Sequence, residues 1–510
     1  MKLIAGSIPP SAPPHKAKAA LDYSPLGSKS FRRTRVGGFL MKRTFILIVF
    51  AAVALAKPLA ERPNFILCMA DDQGWGDTGY NGHPILKTPV MDEMARTGLR
   101  FDRFYSAAAV CSPTRGSVMT GRNPNRFGCF AWGHTLRPQE ITVAEALKKA
   151  GYTTAHFGKW HIGSMRADGA ASPGNSGFDD WFSSPNFYEN SPLFSHNGQV
   201  IETDGESSHV TTDLALDWIG KAAKSDKPFL AVIWFGNPHS PHVAVDKYKK
   251  MYADQPDGAA HFYGEITAMD AALGELRKGI RKLGVADNTV LWYCSDNGAI
   301  PKGSTGGLRA RKGSLYEGGI RVPAIIEWPA QIKSNRITNM NANTSDIYPT
   351  LLELAGAALH KNQPVLDGTS LVALLGGKAK RREKPMGFWT YPTKGRGRKS
   401  RAMLEALRQE QRAGNQKPAE PEGQIERQYP TDTLPGHAAW IDGDYKLHRV
   451  PVKKNRDAFA YELYHLGDDP KEQKNLFVDR KLAKRVARMK TGLAAWQSSV
   501  VNSLNGGDYR

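Results

Sequence analysis

Short apolar runs that end in polar residues constrain the fold of this chain more than any other feature of its sequence. Four of these runs are predicted to be buried strands: 64–70, 152–157, 228–235 and 289–294. Amphipathic helices are predicted at 142–150, with Thr142 as its cap, and at 264–283. Strands that alternate with helices indicate an α/β sheet. Because sites in such sheets lie at the carboxyl ends of strands, the polar residues at these ends are candidates for chemistry.

The length and composition allow one large domain and a smaller one. The chain has 510 residues, of which 41% are hydrophobic. We expect a large domain over 57–376, a basic polar insertion over 377–430 and a small C-terminal α+β domain over 431–510. The insertion is predicted to be a loop with one helix at 402–412. The remaining predicted elements are strands at 438–441, 445–448 and 462–464 and a helix at 481–497.

The first 56 residues contain the features of a secretory signal peptide. Residues 1–40 are rich in Pro, Ser, Lys and Arg and are predicted to be disordered, or a spurious extension if translation begins at Met41. Residues 41–56 combine a basic start, an apolar run too short to span a bilayer, and an Ala-x-Ala cleavage site. No cysteine follows closely, so no lipid or membrane anchor is expected. The mature protein is expected to be exported, to the periplasm or the extracellular space.

The net charge of +20 does not by itself indicate nucleic-acid binding. Residues 1–56 carry +8 and residues 378–427 carry +8, which leaves +4 for the rest of the chain. No nucleic-acid-binding motif is present, and we expect no nucleic-acid partner. The basic insertion is either a solvated loop or a contact for an anionic polymer.

The cysteines do not form a disulfide framework. There are four of them: Cys68, Cys111, Cys129 and Cys294. Cys68 and Cys294 lie in predicted strands and are expected to be buried thiols. Cys111 begins the run Cys-Ser-Pro-Thr-Arg-Gly, in which Pro113 favours the first turn of a helix. Cys111 is therefore predicted at a helix N-terminus, where anions bind and where a thiol is expected to be unusually reactive.

Oxygen ligands follow two of the predicted strands. Asp71 and Asp72 end the first, and Asp296 and Asn297 end the last. Adjacent carboxylates repel one another unless a proton or a cation intervenes. This donor set suits Ca²⁺ or Mg²⁺ far better than zinc, although either pair alone could serve only as a cap.

Lysine and histidine candidates follow other strands and a glycine-rich loop. Lys159 and His161 follow the strand at 152–157, and alternation along an extended segment would direct both toward one ligand. His239 follows the strand at 228–235. Lys312 lies in a basic, glycine-rich loop with Arg309 and Arg311, which are weaker candidates for anion contact.

Together these segments resemble the type I (formylglycine-dependent) sulfatases. The matching runs begin with Cys-x-Pro-x-Arg and continue through Gly-Lys-Trp-His to the loop of Lys312. The resemblance implies an alkaline-phosphatase-like α/β fold with a large mixed sheet and a small C-terminal antiparallel sheet. It implies that a formylglycine-generating enzyme oxidises Cys111 to formylglycine, whose hydrate is the nucleophile. It also implies one Ca²⁺ ion bound by Asp71, Asp72, residue 111, Asp296 and Asn297.

The resemblance further assigns roles to the cationic residues. Arg115 and His161 would orient the hydrate, Lys159 and Lys312 would bind sulfate, and His239 would assist the leaving alcohol. The implied activity is sulfuric ester hydrolysis, with a sulfated carbohydrate as the preferred substrate class. Two alternatives stay open: a formylglycine-dependent phosphodiester or phosphonate hydrolase of the same superfamily, and a non-catalytic binder of anionic glycans.

Overall fold

Two sheets organise the chain in the computed structural model. It describes residues 62–333, 335–397, 399–425, 427–452 and 455–509. The predictions for 1–40 and 41–56 therefore fall outside the described residues. The strands are β1 (Asn64–Ala70), β2 (Leu99–Tyr105), β3 (Thr153–Lys159), β4 (Asp180–Ser184), β5 (Leu193–His196), β6 (Gln199–Glu202), β7 (Phe229–Trp234), β8 (Thr289–Ser295), β9 (Arg321–Glu327), β10 (Arg336–Thr338), β11 (Ala342–Asn343), β12 (Met386–Thr390), β13 (His437–Asp442), β14 (Tyr445–Val452) and β15 (Asn455–His465).

Helices cover both faces of the large sheet. They are α1 (Pro89–Thr97), α2 (Cys111–Thr120), α3 (Val143–Lys149), α4 (Ser207–Ala222), α5 (Asp246–Lys249), α6 (Asp257–Lys282), α7 (Glu317–Ile320), α8 (Ile347–Ala355), α9 (Val372–Leu375), α10 (Ser400–Arg412) and α11 (Ala483–Leu504). Among the described residues, none of these helices combines the length and the apolar character needed to cross a membrane.

The large sheet is mixed, as expected, and has the order β10-β2-β9-β8-β1-β7-β3-β4-β5-β6, with β11 paired to β2. The central strands β8, β1, β7, β3 and β4 are parallel, and antiparallel pairing begins at β9 and at β5. In β1, Phe65 and Leu67 pack into one core while Ile66 and Cys68 pack into another. Burial on both faces explains why the sequence of this strand is continuously apolar.

Several predicted elements are confirmed with small differences in their bounds. Thr142 and Glu145 form the capping box of α3, with Thr142 Oγ1 accepting from the Glu145 amide at 3.1 Å. Helix α6 begins at Asp257, seven residues before the predicted start at Gly264. Gly264 lies inside the helix because it packs against a neighbouring segment, where an added Cβ would lie 2.7 Å from that of Ala244. The sequence analysis therefore placed the start of the helix at a glycine that is needed for packing.

The small sheet is antiparallel, in the order β12-β13-β14-β15, and α11 packs against it. This confirms the small C-terminal antiparallel sheet of the expected fold. The predicted helix of the basic insertion is present as α10. The insertion also contains β12, so the prediction of a loop was wrong for residues 386–390. The predicted domain boundaries stay a prediction.

Candidate active site

The carboxyl ends of four neighbouring strands meet at one edge of the large sheet. β1 runs parallel to β7 and β8, and β7 runs parallel to β3. The candidate residues at this edge are Asp71 and Asp72 after β1, Lys159 and His161 at the end of β3, His239 after β7, and Asp296 and Asn297 after β8. Asn297 Nδ2 donates to Asp72 Oδ1 at 2.8 Å across 225 positions of sequence. The sheet topology therefore assembles this group from distant segments.

Helix α2 places Cys111 beside two of these carboxylates. Cys111 is the first residue of the helix, as predicted, and Val110 is its N-cap. Its Sγ and one oxygen each of Asp71 and Asp296 lie within 4.8 Å of one another. Every residue of α2 is buried, and Gly121 ends the helix with a left-handed φ of 69°. The buried helix thus places residue 111 at the strand edge.

Four cationic or titratable side chains surround the carboxylates. Lys159 Nζ donates to Asp71 Oδ2 at 2.6 Å, and Arg115 Nη2 donates to Asp296 Oδ2 at 2.7 Å. Lys312 Nζ bonds to Asp72 Oδ1, and His239 Nε2 lies 3.7 Å from Asp72 Oδ2. The structure therefore brings both sulfate-binding candidates and the leaving-group candidate to the same carboxylate cluster.

Two aromatic residues support this cluster, and the sequence analysis missed both. The Arg115 guanidinium lies 5.1 Å from the ring centroid of Trp234, the last residue of β7. The Phe187 ring stacks on His239 with centroids 4.3 Å apart. Phe187 follows the carboxyl end of β4, so the strand-end argument that identified the other candidates applies to it too.

His161 lies at this edge, but not for the reason expected. The backbone leaves the strand at Lys159, and His161 has a left-handed φ of 60°. The extended segment expected through both residues was therefore wrong. His161 is buried, and the next residue, Ile162, accepts a hydrogen bond from the Leu136 amide at 2.9 Å.

Burial and charge shift the pKa values of the carboxyl groups in opposite directions. Burial raises the pKa of Asp71, and the nearby Lys159 only partly offsets this effect. Burial alone would also raise the pKa of Asp72, but Lys312, His239 and Lys159 together lower it. At Asp296, burial is likewise outweighed by Arg115 and Lys159, so its pKa is lowered. The site therefore favours one protonated carboxyl group or an added cation.

The expectation of an unusually reactive thiol at Cys111 was wrong for the unmodified residue. Burial raises the pKa of the Cys111 thiol, and the charges of Lys159 and Lys312 compensate only partly. The helix N-terminus does not overcome the cost of burying a thiolate. Cys68 and Cys294 are buried as expected, and burial raises the pKa of each thiol.

The oxygen donors of the site suit a hard cation. Within the part of the chain that the structure describes, neither Asp71 Oδ1 nor Asn297 Oδ1 has a hydrogen-bond partner, and both are buried. Unsatisfied buried oxygens are costly, and a calcium or magnesium ion would satisfy them. The residues present therefore fit the ion that the resemblance implies.

The weaker candidates make structural contacts. Arg309 Nη1 donates to the Tyr464 hydroxyl at 2.8 Å, and Arg311 Nη1 donates to the Gly303 carbonyl at 2.6 Å. His242, three residues after His239, likewise has a buried side chain, and its Nδ1 lies 3.2 Å from Glu265 Oε2. In each case the polar group of the side chain contacts another protein group.

The class of the protein follows from comparison with known proteins. A family model described as Sulfatase matches residues 63–357. Arylsulfatase A of Homo sapiens is 32% identical over 394 residues, which cover 70% of this chain and 75% of that protein. The chain belongs to the sulfatase family. A further model, described as N-sulphoglucosamine sulphohydrolase, C-terminal, matches residues 310–406 of this sulfatase.

Other relatives agree with this class and with the fold. N-acetylgalactosamine-6-sulfatase of Canis lupus familiaris is 32% identical to the sulfatase over 383 residues, covering 65% of this chain and 70% of that protein. The solved structure of Ps i-CgsB in complex with k-i-k-neocarrahexaose has a TM-score of 0.71 and 23% identity, over 86% of this chain and 93% of that chain. This likeness shows the fold. The sulfatase is a sulfuric ester hydrolase.

Proposed function

We propose that this sulfatase is an exported, calcium-dependent enzyme that uses formylglycine at position 111 to release sulfate from a carbohydrate. The observation that carries the proposal is the position of Cys111. Its Sγ lies within 4.8 Å of oxygens of Asp71 and Asp296, and both carboxylates are in contact with cationic side chains. This is the arrangement that a nucleophile attacking an anionic ester needs.

Formylglycine at position 111 and a Ca²⁺ ion would complete the site. Formylglycine would supply a hydrated aldehyde that attacks sulfur, and Ca²⁺ would supply positive charge for the sulfate oxygens. Asp71, Asp72, Asp296 and Asn297 would bind the ion together with residue 111. The modification requires a formylglycine-generating enzyme as a partner during synthesis.

The cationic residues bind and orient the reacting groups. Lys159 and Lys312 bind the sulfate oxygens and neutralise the charge that spreads over them in the transition state. Arg115 is held by Asp296 and by the ring of Trp234, and it orients residue 111. His161, on the turn after β3, orients the same residue.

His239 moves the proton of the leaving group. Its Nδ1 faces the Ser240 carbonyl oxygen at 2.6 Å, and this contact makes Nδ1 the donor. Burial lowers the pKa of His239 to about 4, although Asp72 opposes this effect. The negative charge of a bound sulfate ester favours the doubly protonated ring. Its Nε2–H then protonates the departing alcohol oxygen.

The substrate class is supported by the names of relatives. N-acetylgalactosamine-6-sulfatase is named for a sulfated amino sugar, and Ps i-CgsB was solved with a neocarrahexaose. We therefore propose a sulfated carbohydrate as substrate. Export to the periplasm or beyond would place the enzyme where sulfated polysaccharides are met.

A substrate panel tests the proposal. Calcium-loaded enzyme, shown by mass spectrometry to carry the aldehyde at position 111, would be assayed on sulfated sugars, polysaccharides, an aryl sulfate, phosphodiesters and phosphonates. We expect sulfate release from at least one sulfated sugar. Release from phosphodiesters or phosphonates without sulfate release would favour the alternative hydrolase. Tight glycan binding without any turnover would favour a non-catalytic binder.

A further inference from the structure

A cavity of about 750 Å³ lies between the loops of the active-site edge and the basic insertion. We call it the insertion cavity. Its walls come from residues 127–137, residues 164–166, Pro185 and the described residues of 393–429. Its volume lies within the range of about 300–1,000 Å³ that is usual for small-ligand sites.

The insertion cavity adjoins the candidate active site. In one wall segment the Gly133 amide donates to Ser112 Oγ at 2.8 Å, next to Cys111. Residues 164–166 follow His161 closely, and Pro185 directly follows the end of β4, which pairs with β3. A ligand in this cavity therefore lies beside the same edge of the sheet as the reacting group.

Arginines dominate the charge of the walls. Four arginines and two glutamates line the cavity: Arg137, Arg166, Arg396, Arg427, Glu420 and Glu422. Arg396 is exposed. Arg166 pairs with Glu410 at 2.7 Å, and Glu422 accepts from the Ala171 amide at 2.7 Å. The planar guanidinium group suits a bidentate contact with an oxyanion.

Aromatic rings form a second part of the wall. The Phe130 ring lies 5.8 Å from that of Tyr429, centroid to centroid, and stacks on Tyr391 at 4.6 Å. The Arg427 guanidinium lies 4.6 Å from the centroid of Tyr429. Aromatic side chains offer large, rigid, apolar surfaces against which the apolar face of a sugar ring can pack. Cationic and aromatic groups together match an anionic sugar.

We propose that the insertion cavity binds the sulfated sugar unit next to the one that carries the scissile sulfate. Arg396 and Arg427 bind the sulfate of that neighbouring unit, and Tyr429 and Phe130 pack against its ring. The inference rests on the proposed function and extends it to an oligosaccharide substrate with two sulfates. The Sulfatase model ends at residue 357 and the second model at residue 406. Arg396 lies within the second model, whereas Arg427 and Tyr429 lie beyond both models.

Matched substrates test the inference. kcat/KM would be measured on a disaccharide with both sulfates and on the same disaccharide with only the scissile sulfate, alongside a carboxylated analogue of the second unit. The double variant R396Q/R427Q is compared with wild type and with R281Q, which removes an exposed arginine from α6 outside the cavity. We expect the ratio of kcat/KM between the disulfated and monosulfated substrates to fall at least about 10-fold in the double variant only.

The outcomes separate this inference from the proposed function. An equal loss on both substrates, or no preference of wild type for the disulfated one, would overturn the inference. A preference for the carboxylated analogue over the disulfated sugar would also overturn it. If enzyme that carries formylglycine at position 111 releases no sulfate at all, the proposed function fails. Calorimetry with the disulfated sugar then tests whether the insertion cavity binds it. Binding that R396Q/R427Q weakens supports the inference, and no binding contradicts it.

Discussion

At the scale of single residues, pairing between opposite charges organises the site. Three buried carboxylates, Asp71, Asp72 and Asp296, contact Lys159, Lys312 and Arg115 respectively. Such contacts fix the cationic groups at one point before any substrate binds. Positive charge that is already oriented costs no reorganisation when negative charge develops on sulfate. Under the proposed function, these pairs would preorganise the cations for an anionic transition state.

Lys312 allows a direct test of this view. Replacing Lys312 by Ala is expected to lower kcat for a sulfate ester roughly 10²–10³-fold, because one oriented positive charge is lost. Lys302→Ala is the matched control, since Lys302 is an exposed lysine of the same loop region. Steady-state kinetics on both variants provide the measurement. A Lys312→Ala enzyme with the kcat of wild type would contradict the assignment.

Metal binding at the carboxylates is expected to stabilise the fold. A ligand that binds only the native state adds about 2.7 kcal/mol of stability at a concentration 100 times its Kd. Calorimetry should therefore show a higher Tm with calcium than with a chelator. Asp296→Asn should remove this difference, whereas Asp246→Asn, which changes an exposed acid, should keep it. An identical Tm of wild type with and without calcium would argue against the ion site.

At the scale of elements, the small sheet supports the segment that carries Lys312. Lys446, on β14, donates to Glu317 Oε1 at 2.8 Å and lies 3.1 Å from Glu472 Oε1. Glu472 Oε2 accepts from the Glu317 amide at 2.6 Å. All three side chains are fully buried. The network ties the end of the Lys312 loop to the small sheet.

Removing the cation of this network is expected to destabilise the protein. Lys446→Met removes the cation shared by two buried carboxylates and, among the described residues, leaves Glu317 only Arg321, 3.6 Å away, and Glu472 only His448, 2.8 Å away. We expect a cost of about 3–5 kcal/mol in the free energy of unfolding. Urea unfolding measures the change, with Lys484→Met, an exposed position on α11, as the control. Equal stability of the two variants would show that the network contributes little.

The elements that the sequence predicts best are those buried on both faces. β1, β7 and β8 are mostly apolar runs, so their positions were predicted closely. β3 is also buried, although it contains two threonines and a histidine. β2 was not predicted, because Arg100, Asp102 and Arg103 interrupt its pattern. Two of these charges, Arg100 and Asp102, pair with each other at 2.9 Å, a compensation that sequence alone does not reveal.

For the site, the sequence predicted which residues take part but not how they contact one another. The residue types and their positions at strand ends were visible in the sequence. The contact of Arg115, on α2, with Asp296, which follows β8, joins residues 181 positions apart and could not be predicted locally. The left-handed turn at His161 also escaped prediction, since a non-glycine residue rarely adopts that conformation.

At the scale of the whole molecule, Asp367 joins parts that are distant in the chain. Its carboxylate accepts from Arg126 Nε at 2.6 Å, from the Asn123 amide at 2.6 Å and from Trp496 Nε1 of α11 at 3.0 Å. Burial alone would raise the pKa of Asp367, but Arg126 and these hydrogen bonds lower it to about 2. The loop after α2 and the C-terminal helix are thus bound to one charged group.

The lowered pKa of Asp367 makes part of the stability depend on pH. The contribution is complete above the unfolded value of about 3.9 and is lost as the pH falls toward about 2. We expect Asp367→Asn to lower the free energy of unfolding by about 2–3 kcal/mol at pH 7, and the gap to wild type to narrow between pH 4 and pH 2. Denaturant unfolding between pH 2 and pH 7 measures this difference in the free energy of unfolding, with exposed Asp226→Asn as control. A difference that does not change with pH would contradict the link between the pKa of Asp367 and stability.

The central claim is that residue 111, as formylglycine, is the nucleophile of a sulfate ester hydrolase. The most direct test measures sulfate release by wild type and by Cys111→Ala, with mass spectrometry of the peptide that contains residue 111. We expect the aldehyde in wild type and sulfate release that scales with its fraction, and no turnover by Cys111→Ala. Sulfate release by Cys111→Ala at a rate near that of wild type would contradict the account.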